Sequence, residues 1–478
     1  MEGLMYTKSY CGTTITCRYT LPDELLRPDY HDRLAREMER AVARVTLEHP
    51  LMQVGMVDGD TKTPLFVALD SIDLRNHIKW CVFERIGKSY GEAFQDCLSA
   101  LLDAPWEYLD SRPAWNVMIF RPMDAPFIDV IFSWRHSIGD GTSGKLFHES
   151  LLRTLNKPRG TQPYLNLRHH ILALEKQPRD YYPPPMEEMA RFTMTKRHMA
   201  GFAWKLVKPG NKAPELHWAP IAPGPAVTVR RVIHTDARRM KALITACRAH
   251  ETTITGLIHG ITFVSFAQQL SAEQAPAFEA GTAVNLRPFM PKTAPKAPDR
   301  DLDANSIFGN VVTTAVHEFD QKMVADIRQQ VKTEGREDVN AIATAIWSVA
   351  KHARGLVQKK LNEGITNLDQ TLIKLIPDCR TEVEKWQQKP RTLLWELTNI
   401  GAIDAKPAGV EEPRYTIDRA SFAVCAQTEQ LVTLSPMSRK GGAMFMDVNW
   451  QEGTMDSAIG DKLAEDLQRW LDSVPLAA

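Results

Sequence analysis

The sequence predicts an α/β (α+β) fold of two lobes, each a mixed sheet flanked by helices. Three observations carry this expectation. The chain has 478 residues, too many for one ordinary core at about 100 to 200 residues per domain. Its apolar residues switch repeatedly between the two-residue period of strands and the three-to-four-residue period of helices. A proline cluster then divides the pattern, with Pro178, Pro183, Pro184 and Pro185 followed by Pro209, Pro214, Pro220, Pro223 and Pro225. Proline removes backbone donors and interrupts regular elements. The expected organisation is therefore a first lobe over 1–177, a crossover linker over 178–225 and a second lobe over 226–478.

In the first lobe, Gly12 to Leu21 has strand composition, and Leu34, Met38, Val42 and Val45 mark a helix from Asp29 to Glu48. Met52, Val54 and Met56 alternate, Asp58-Gly59-Asp60 turns, and Leu65 to Leu69 returns. Ile72 to Phe83 is predicted as one strand. Ser89 and Glu92 have capping-box spacing, since each side chain satisfies a free N–H of the other residue, and open a helix through Leu102. Trp115 to Arg121 and Phe127 to Trp134 form a hairpin. The linker carries one predicted helix near Met186 to Val207, whose Met186, Met189, Phe192, Met194 and Met199 form either a packing face or a substrate-lining one.

The second lobe opens with a strand from Val227 to His234, and Asp236 caps a helix to about His250. A buried helix over Thr253 to Leu270, a strand over Ala280 to Leu286, a loop from Pro291 to Asp303 and a strand over Gly309 to Val316 follow. Ile342 to Leu361 has the apolar spacing of a long helix. Leu393 to Asn399, Ser421 to Ala426, Leu431 to Ser435 and Met444 to Trp450 read as the closing sheet, and Leu463, Leu467, Trp470 and Leu471 mark a last helix.

Composition excludes several classes. Lys plus Arg and Asp plus Glu both number 58, so the formal charge is zero and no nucleic-acid partner is expected. No apolar run reaches membrane-span length, and the first residues lack the basic and apolar regions of a secretory signal. Seven scattered cysteines with no Cys-x-x-Cys pair suit reduced, mostly buried thiols. A cytoplasmic monomer is expected.

Chemistry concentrates at the end of the strand Phe127 to Trp134. His136 follows at once, and Gly139 and Gly141 leave the backbone free to turn before Leu146, Phe147, Leu151, Leu152 and Leu155 begin a helix. A histidine held by a strand end beside an open turn is placed to meet a bound molecule, and imidazole titrates near neutrality. His169-His170 has no cysteine or carboxylate at metal spacing, so no metal site is expected. Gly141-Thr142-Ser143-Gly144 lacks the Gly-x-Ser-x-Gly elbow of serine hydrolases, and Ser143 reads as a helix-start residue.

His136-x-x-x-Asp140-Gly141 resembles the signature of the acyltransferase superfamily that includes chloramphenicol acetyltransferase, the plant BAHD enzymes, condensation domains and fungal alcohol acetyltransferases. Ordered pieces extend the resemblance along nearly the whole chain: His49-Pro50-Leu51, Arg112-Pro113-Ala114-Trp115, Cys247-Arg248-Ala249-His250 with Thr253-Ile254-Thr255, Val284-Asn285-Leu286-Arg287-Pro288-Phe289, Phe308-Gly309-Asn310 and Thr398-Asn399-Ile400-Gly401. Arg135 stands where condensation domains carry a second histidine, and the Asp-Phe-Gly-Trp-Gly motif of the plant enzymes is absent. The chain is most similar to the fungal alcohol acetyltransferases, of the trichothecene O-acetyltransferase type.

The resemblance implies two chloramphenicol-acetyltransferase-like lobes with an active-site tunnel between them, and a second-lobe segment that crosses to extend the first sheet. It implies an O-acyltransferase with no permanently bound cofactor, moving an acyl group, acetyl foremost, from acyl-CoA to a hydroxyl of a hydrophobic small molecule such as a secondary metabolite. His136 would be the general base. Asp140 would pair with Arg287 and fix the turn, and Gly141 would permit close approach to His136. Asn399 is the candidate oxyanion donor or else makes the turn with Gly401; Asn285 and Asn310 are weaker candidates of the same kind and read first as structural residues. Arg439 and Lys440 either dock the phosphates of acetyl-CoA or shape a hairpin turn. An N-acyltransferase, or a tunnel protein that binds or rearranges without acyl transfer, stays open at this point.

Overall fold

The computed structural model describes residues 11–83, 89–123, 125–158, 162–207, 215–222, 226–294, 297–301, 303–332, 338–368, 371, 376 and 378–475. Pro209, Pro214, Pro223 and Pro225 of the expected linker, and the first ten residues, lie outside them.

The first lobe runs β1 (Thr13–Thr20), α1 (His31–Glu48), β2 (Val54–Val57), β3 (Leu65–Ala68), β4 (Ser71–Asp73), β5 (Ile78–Phe83), α2 (Tyr90–Asp103), β6 (Trp115–Pro122), β7 (Phe127–Trp134) and α3 (Gly141–Leu155). Short strands β8 (Leu167–Arg168) and β9 (Ile171–Ala173) return to β4. The capping box of α2 is present, with the Ser89 hydroxyl on the Glu92 N–H and the Glu92 carboxylate on the Ser89 N–H. The predicted strand Ile72 to Phe83 is broken. Asp73 accepts the Arg75 N–H at 3.0 Å and closes a short turn, so β4 pairs with β9 while β5 runs parallel to β6.

The linker holds two helices rather than one, α4 (Met186–Met189) and α5 (Lys196–Val207), and the Thr195 hydroxyl takes the His198 N–H as the second begins. Met189 is buried, and Met186 and Phe192 are partly buried, against Val284, Leu286 and Val311; the methionine stretch is a packing face, apart from exposed Met199.

The second lobe comprises β10 (Thr228–Thr235), α6 (Ala237–Ala249), α7 (Ile254–Gln269), β11 (Phe278–Asn285), β12 (Thr293–Ala294), β13 (Ala297–Asp301), β14 (Val312–Phe319), α8 (Gln321–Val331), α9 (Val339–Glu363), α10 (Cys379–Gln387), β15 (Leu393–Leu397), β16 (Ala402–Ile403), β17 (Ile417–Val424), β18 (Gln430–Arg439), β19 (Met444–Gln451) and α11 (Ser457–Ser473). The expected loop after Pro291 contains the small β12–β13 ladder.

Two sheets organise the molecule. The first has the order β17-β1-β7-β6-β5 and the second β10-β19-β18-β15-β11-β14, with β16 beside β18. Strand β17 leaves the second lobe and pairs antiparallel with β1, Thr13 opposite Val424, so the second lobe extends the first sheet. The first core stacks Phe132 on Phe147, ring centres 3.9 Å apart, beside Trp115 and Trp134. The second wraps α7, buried on nearly every side, with Trp395 stacked on Phe319. Trp395 Nε1 donates to His259 Nδ1, and His259 Nε2 and His317 Nε2 both meet the Thr282 hydroxyl, at 2.8 and 2.7 Å. Burial holds both imidazoles far toward neutrality, so this polar chain serves the core.

Candidate active site

Strand β7 is central in its sheet, with β1 and β6 on either side, so its end is rigidly placed. The Trp134 indole donates to the Gly139 carbonyl at 2.8 Å and folds the following turn back over the strand. Neither Gly139 nor Gly141 adopts a positive φ, contrary to the expected turning role. Space is what Gly141 supplies: a Cβ there would lie 2.5 Å from Ile400 Cγ2 of the other lobe.

His136 lines a cavity of about 210 Å³ between the lobes. From the first lobe come His136, Asp140, Gly141 and Thr142; from the second come Ala283 and Asn285 on β11, Val312 and Thr314 on β14, Glu396, Thr398, Asn399 and Ile400 along β15 and the turn after it, and Gln427 and Glu429 before β18. Burial lowers the pKa of the imidazole, opposed by the Asp140 charge and by Asn310, so the neutral, proton-accepting form is favoured. The Asn310 amide donates to the carbonyls of His136 and Ser137, the latter at 3.1 Å, and so ties the histidine turn to the second lobe.

The Asp140 carboxylate bonds Arg287 and backbone N–H groups. Its Oδ2 accepts Arg287 Nη1 at 2.7 Å and the Val311 N–H at 2.9 Å, and its Oδ1 accepts Arg287 Nη2 at 3.0 Å and the Ser143 N–H at 3.0 Å. The last bond caps α3, with Ser143 one turn inside it. Arg287 also donates to the carbonyls of Ile307 and Gly309. The ion pair is 3% and 1% exposed by side chain, and with the Ser143 hydroxyl also on Oδ1 each oxygen of the carboxylate has at least two donors. Asn285, whose Oδ1 accepts the Arg287 N–H, steadies the same arginine.

Asn399 lines the cavity and makes the turn with Gly401. Its Oδ1 accepts the Gly401 N–H at 2.8 Å, where Gly401 has φ +77°, and its Nδ2 donates to Thr255 at 3.1 Å. An amide nitrogen carries a second N–H beyond the one given to Thr255.

The sequence of residues 74–458 matches the family model of the alcohol acetyltransferases. The chain belongs to the alcohol acetyltransferase family. It is thereby an O-acyltransferase. Similar family members are Probable alcohol acetyltransferase FCK4 of Fusarium pseudograminearum, 27% identical over 90% of this chain and 84% of its own, and Probable alcohol acetyltransferase crmB of Aspergillus fumigatus, 20% identical over 89% and 87%. Among solved structures, the fold is similar to that of TRI3, a trichothecene 15-O-acetyltransferase from Fusarium sporotrichioides, with TM-score 0.68 and 12% identity over 98% of this chain and 93% of that one. The condensation domain of the polyketide synthase MokA is also similar, with TM-score 0.59 and 10% identity over 99% and 96%.

Other expected residues of this alcohol acetyltransferase stand apart from the cavity. Arg439 ends β18, and Lys440 begins the hairpin turn to β19 with Gly441 at φ +69°. Lys440 pairs with Asp404 at 3.1 Å, and neither cation lines the His136 cavity. His169 and His170 are exposed, and His170 bonds Glu39. Among the described residues, no cluster of three His, Cys, Asp or Glu has the arrangement to hold a metal, and no helix is long and apolar enough to cross a membrane. All seven cysteines are free thiols, but only Cys17, Cys247 and Cys425 are buried and Cys379 is exposed, so "mostly buried" was too strong an expectation.

Asn310, a weaker oxyanion candidate in the sequence, does not line the cavity and instead tethers the histidine turn. Two cavity features went unread in the sequence. Glu429 sits in a turn like many exposed acids. Glu396 did have a signal: it interrupts the apolar strand Leu393-Leu394-Trp395-Glu396-Leu397, where a carboxylate has no reason to be unless the strand faces a cavity.

Proposed function

We propose that the protein transfers an acetyl group from acetyl-CoA to a hydroxyl of a hydrophobic small molecule, with His136 as general base. The observation that supports this most is the placement of one largely desolvated imidazole in a cavity walled by both lobes. In the reading, neutral His136 removes the proton of the acceptor hydroxyl as its oxygen attacks the thioester carbon. The imidazolium then protonates the departing CoA thiolate, so one group serves both half-steps. Charge grows on the carbonyl oxygen in between, and the second N–H of Asn399 would face it. Asp140 and Arg287 would hold the histidine turn without touching substrate. The Arg439–Lys440 turn follows Ser438, whose N–H bonds the Gly401 carbonyl beside Asn399, and would receive the donor phosphates outside the cavity.

The test is His136→Ala assayed for CoA release and acetylated product with a panel of hydrophobic alcohols. Turnover should fall by about 100 to 10,000-fold while the melting temperature stays near that of the wild type. A folded variant with wild-type turnover would remove His136 from the mechanism.

A further inference from the structure

We propose that Glu396 recognises the acceptor, taking a protonated amine that the acceptor carries away from its reacting hydroxyl. This rests on the acyl-transfer reading and gives it a substrate class, the hydrophobic amino alcohols.

Glu396 is 9% exposed and lines the His136 cavity from β15. The Thr314 hydroxyl donates to its Oε1 at 2.8 Å, and its Oε2 has no hydrogen-bond partner among the described residues. A buried carboxylate with an unused oxygen is costly, and a Gln or Leu would serve packing better. The neighbouring strand clears room for it: a Cβ on Gly281 of β11 would stand 3.2 Å from Glu396 Cγ and 2.9 Å from Thr314 Cγ2. Alternation places Glu396 of β15 and Thr398, the residue just past its end, on the same side, about 7 Å apart at about 3.3 Å per residue, so the acid lies along the cavity wall from the Asn399 turn.

The charges around Glu396 favour a cation. The ionisable groups of the cavity are His136, Asp140, Glu396 and Glu429, and Asp140 is already neutralised by Arg287. Among the described residues, no lysine or arginine lines it. Glu429 borders both this cavity and a neighbouring hollow of about 240 Å³ lined by Trp386, Lys389 and Arg391. Arg391 is committed to the carbonyls of Thr428, Ala219 and Pro220 and to Gln451, so it brings no free fork toward the acids. An acidic wall of this kind repels a phosphate-bearing donor and attracts an ammonium. Burial, with the Glu429 charge adding, pushes the Glu396 carboxyl up to about 7, so ionisation and amine binding reinforce each other just above neutrality.

The test is calorimetric and uses the intact chain without acetyl-CoA. The probes are 6-amino-1-hexanol, cationic throughout, and 1-heptanol, its carbon counterpart, at pH 8.5 and pH 6.0. Wild type should prefer the amino alcohol by about tenfold or more at pH 8.5, in line with a charge-assisted hydrogen bond. That preference should shrink at pH 6.0 and vanish in Glu396→Gln. Equal binding of the two probes, binding of neither, or a preference that survives Glu396→Gln overturns the assignment, and the wild-type comparison stands even where the variant fails to fold. Saturating CoA should leave the amino-alcohol affinity unchanged; loss of that binding would put Glu396 on the donor's path and overturn it too. Because no acyl transfer is measured, its failure leaves the His136 reading to its own assay.

Discussion

Asp140 and Glu396 are carboxylates that face one another's lobes across the same cavity, 2% and 9% exposed, and the protein treats them in opposite ways. Asp140 has a bidentate arginine and two backbone N–H groups; Glu396 has one threonine hydroxyl. A buried charge with every lone pair occupied has nothing left to offer a ligand, and its geometry is fixed by its partners. One with an empty oxygen keeps its binding capacity, and burial, with the Glu429 charge adding, holds its pKa up because only the Thr314 bond opposes them. Satisfaction of hydrogen bonds, more than burial, separates the group that builds the site from the group that faces its occupant.

The largest effect expected from that contrast falls on the Asp140–Arg287 pair. Asp140→Ala or Arg287→Ala strands a charge that is almost fully desolvated, and urea unfolding should show a loss of about 3 to 5 kcal/mol for either. The double variant Asp140→Leu with Arg287→Met should lose much less than the sum, because no charge is left unpaired. Glu396→Gln should cost little at pH 8. A loss as large as that of Asp140→Ala would show that Glu396 is also a structural group and erase the distinction.

How much of this was legible in the sequence follows the range of the interactions. Local codes read well: the Ser89–Glu92 box, the Asp236 cap, the β6–β7 hairpin and the long helix α9 all depend on neighbours within a few residues. Asp140 with Arg287 was legible only through family resemblance, since 147 residues separate them and no pattern in either segment names the other. The break in Ile72 to Phe83 was missed because its apolar alternation outweighed Asp73, whose turn then sends β4 and β5 to different sheets. Gly141 was read as backbone freedom and as room for a close approach to His136, whereas the group that comes close is Ile400, 259 residues further along the chain. Contacts of this kind are set by tertiary packing and leave no spacing to detect.

A smaller and more diagnostic effect is the dependence of stability on pH. In the unfolded chain the Glu396 carboxyl titrates near 4.5, and in the folded protein near about 7. Between these values the native state holds the extra proton, so stability must fall as pH rises. Relative to Glu396→Gln, which carries no such proton, the wild type should lose up to about 3 kcal/mol from about pH 4.5 to about pH 7 and level off above that. Denaturant midpoints for both proteins across pH 4 to 8 check the slope. A flat difference would mean that the Glu396 carboxyl is better satisfied than its single Thr314 bond indicates. An amine ligand should reverse the trend, by stabilising the ionised form.

The smallest effect belongs to Gly141, where the two lobes touch beside the histidine. A methyl there would meet Ile400 Cγ2 at 2.5 Å, with Phe422 Cζ next at 3.4 Å, so a single branch of one side chain takes nearly all of the clash. Isoleucine is stiff at its β-branch and cannot swing clear without moving the Asn399–Gly401 turn. Gly141→Ala should therefore cost about 1 to 3 kcal/mol through overpacking, despite alanine being the better helix former in the first turn of α3. Ile400→Ala in the same chain removes the obstructing methyl, and the double variant should be more stable than the sum of the single losses predicts. Turnover sharpens the point. If the glycine matters because Ile400 must come this close for the second-lobe wall to face His136, the double variant will recover stability before it recovers rate, since the methyl fills the gap without restoring the wall. Recovery of both together would assign the glycine to packing alone and leave the histidine turn indifferent to its partner lobe at this position.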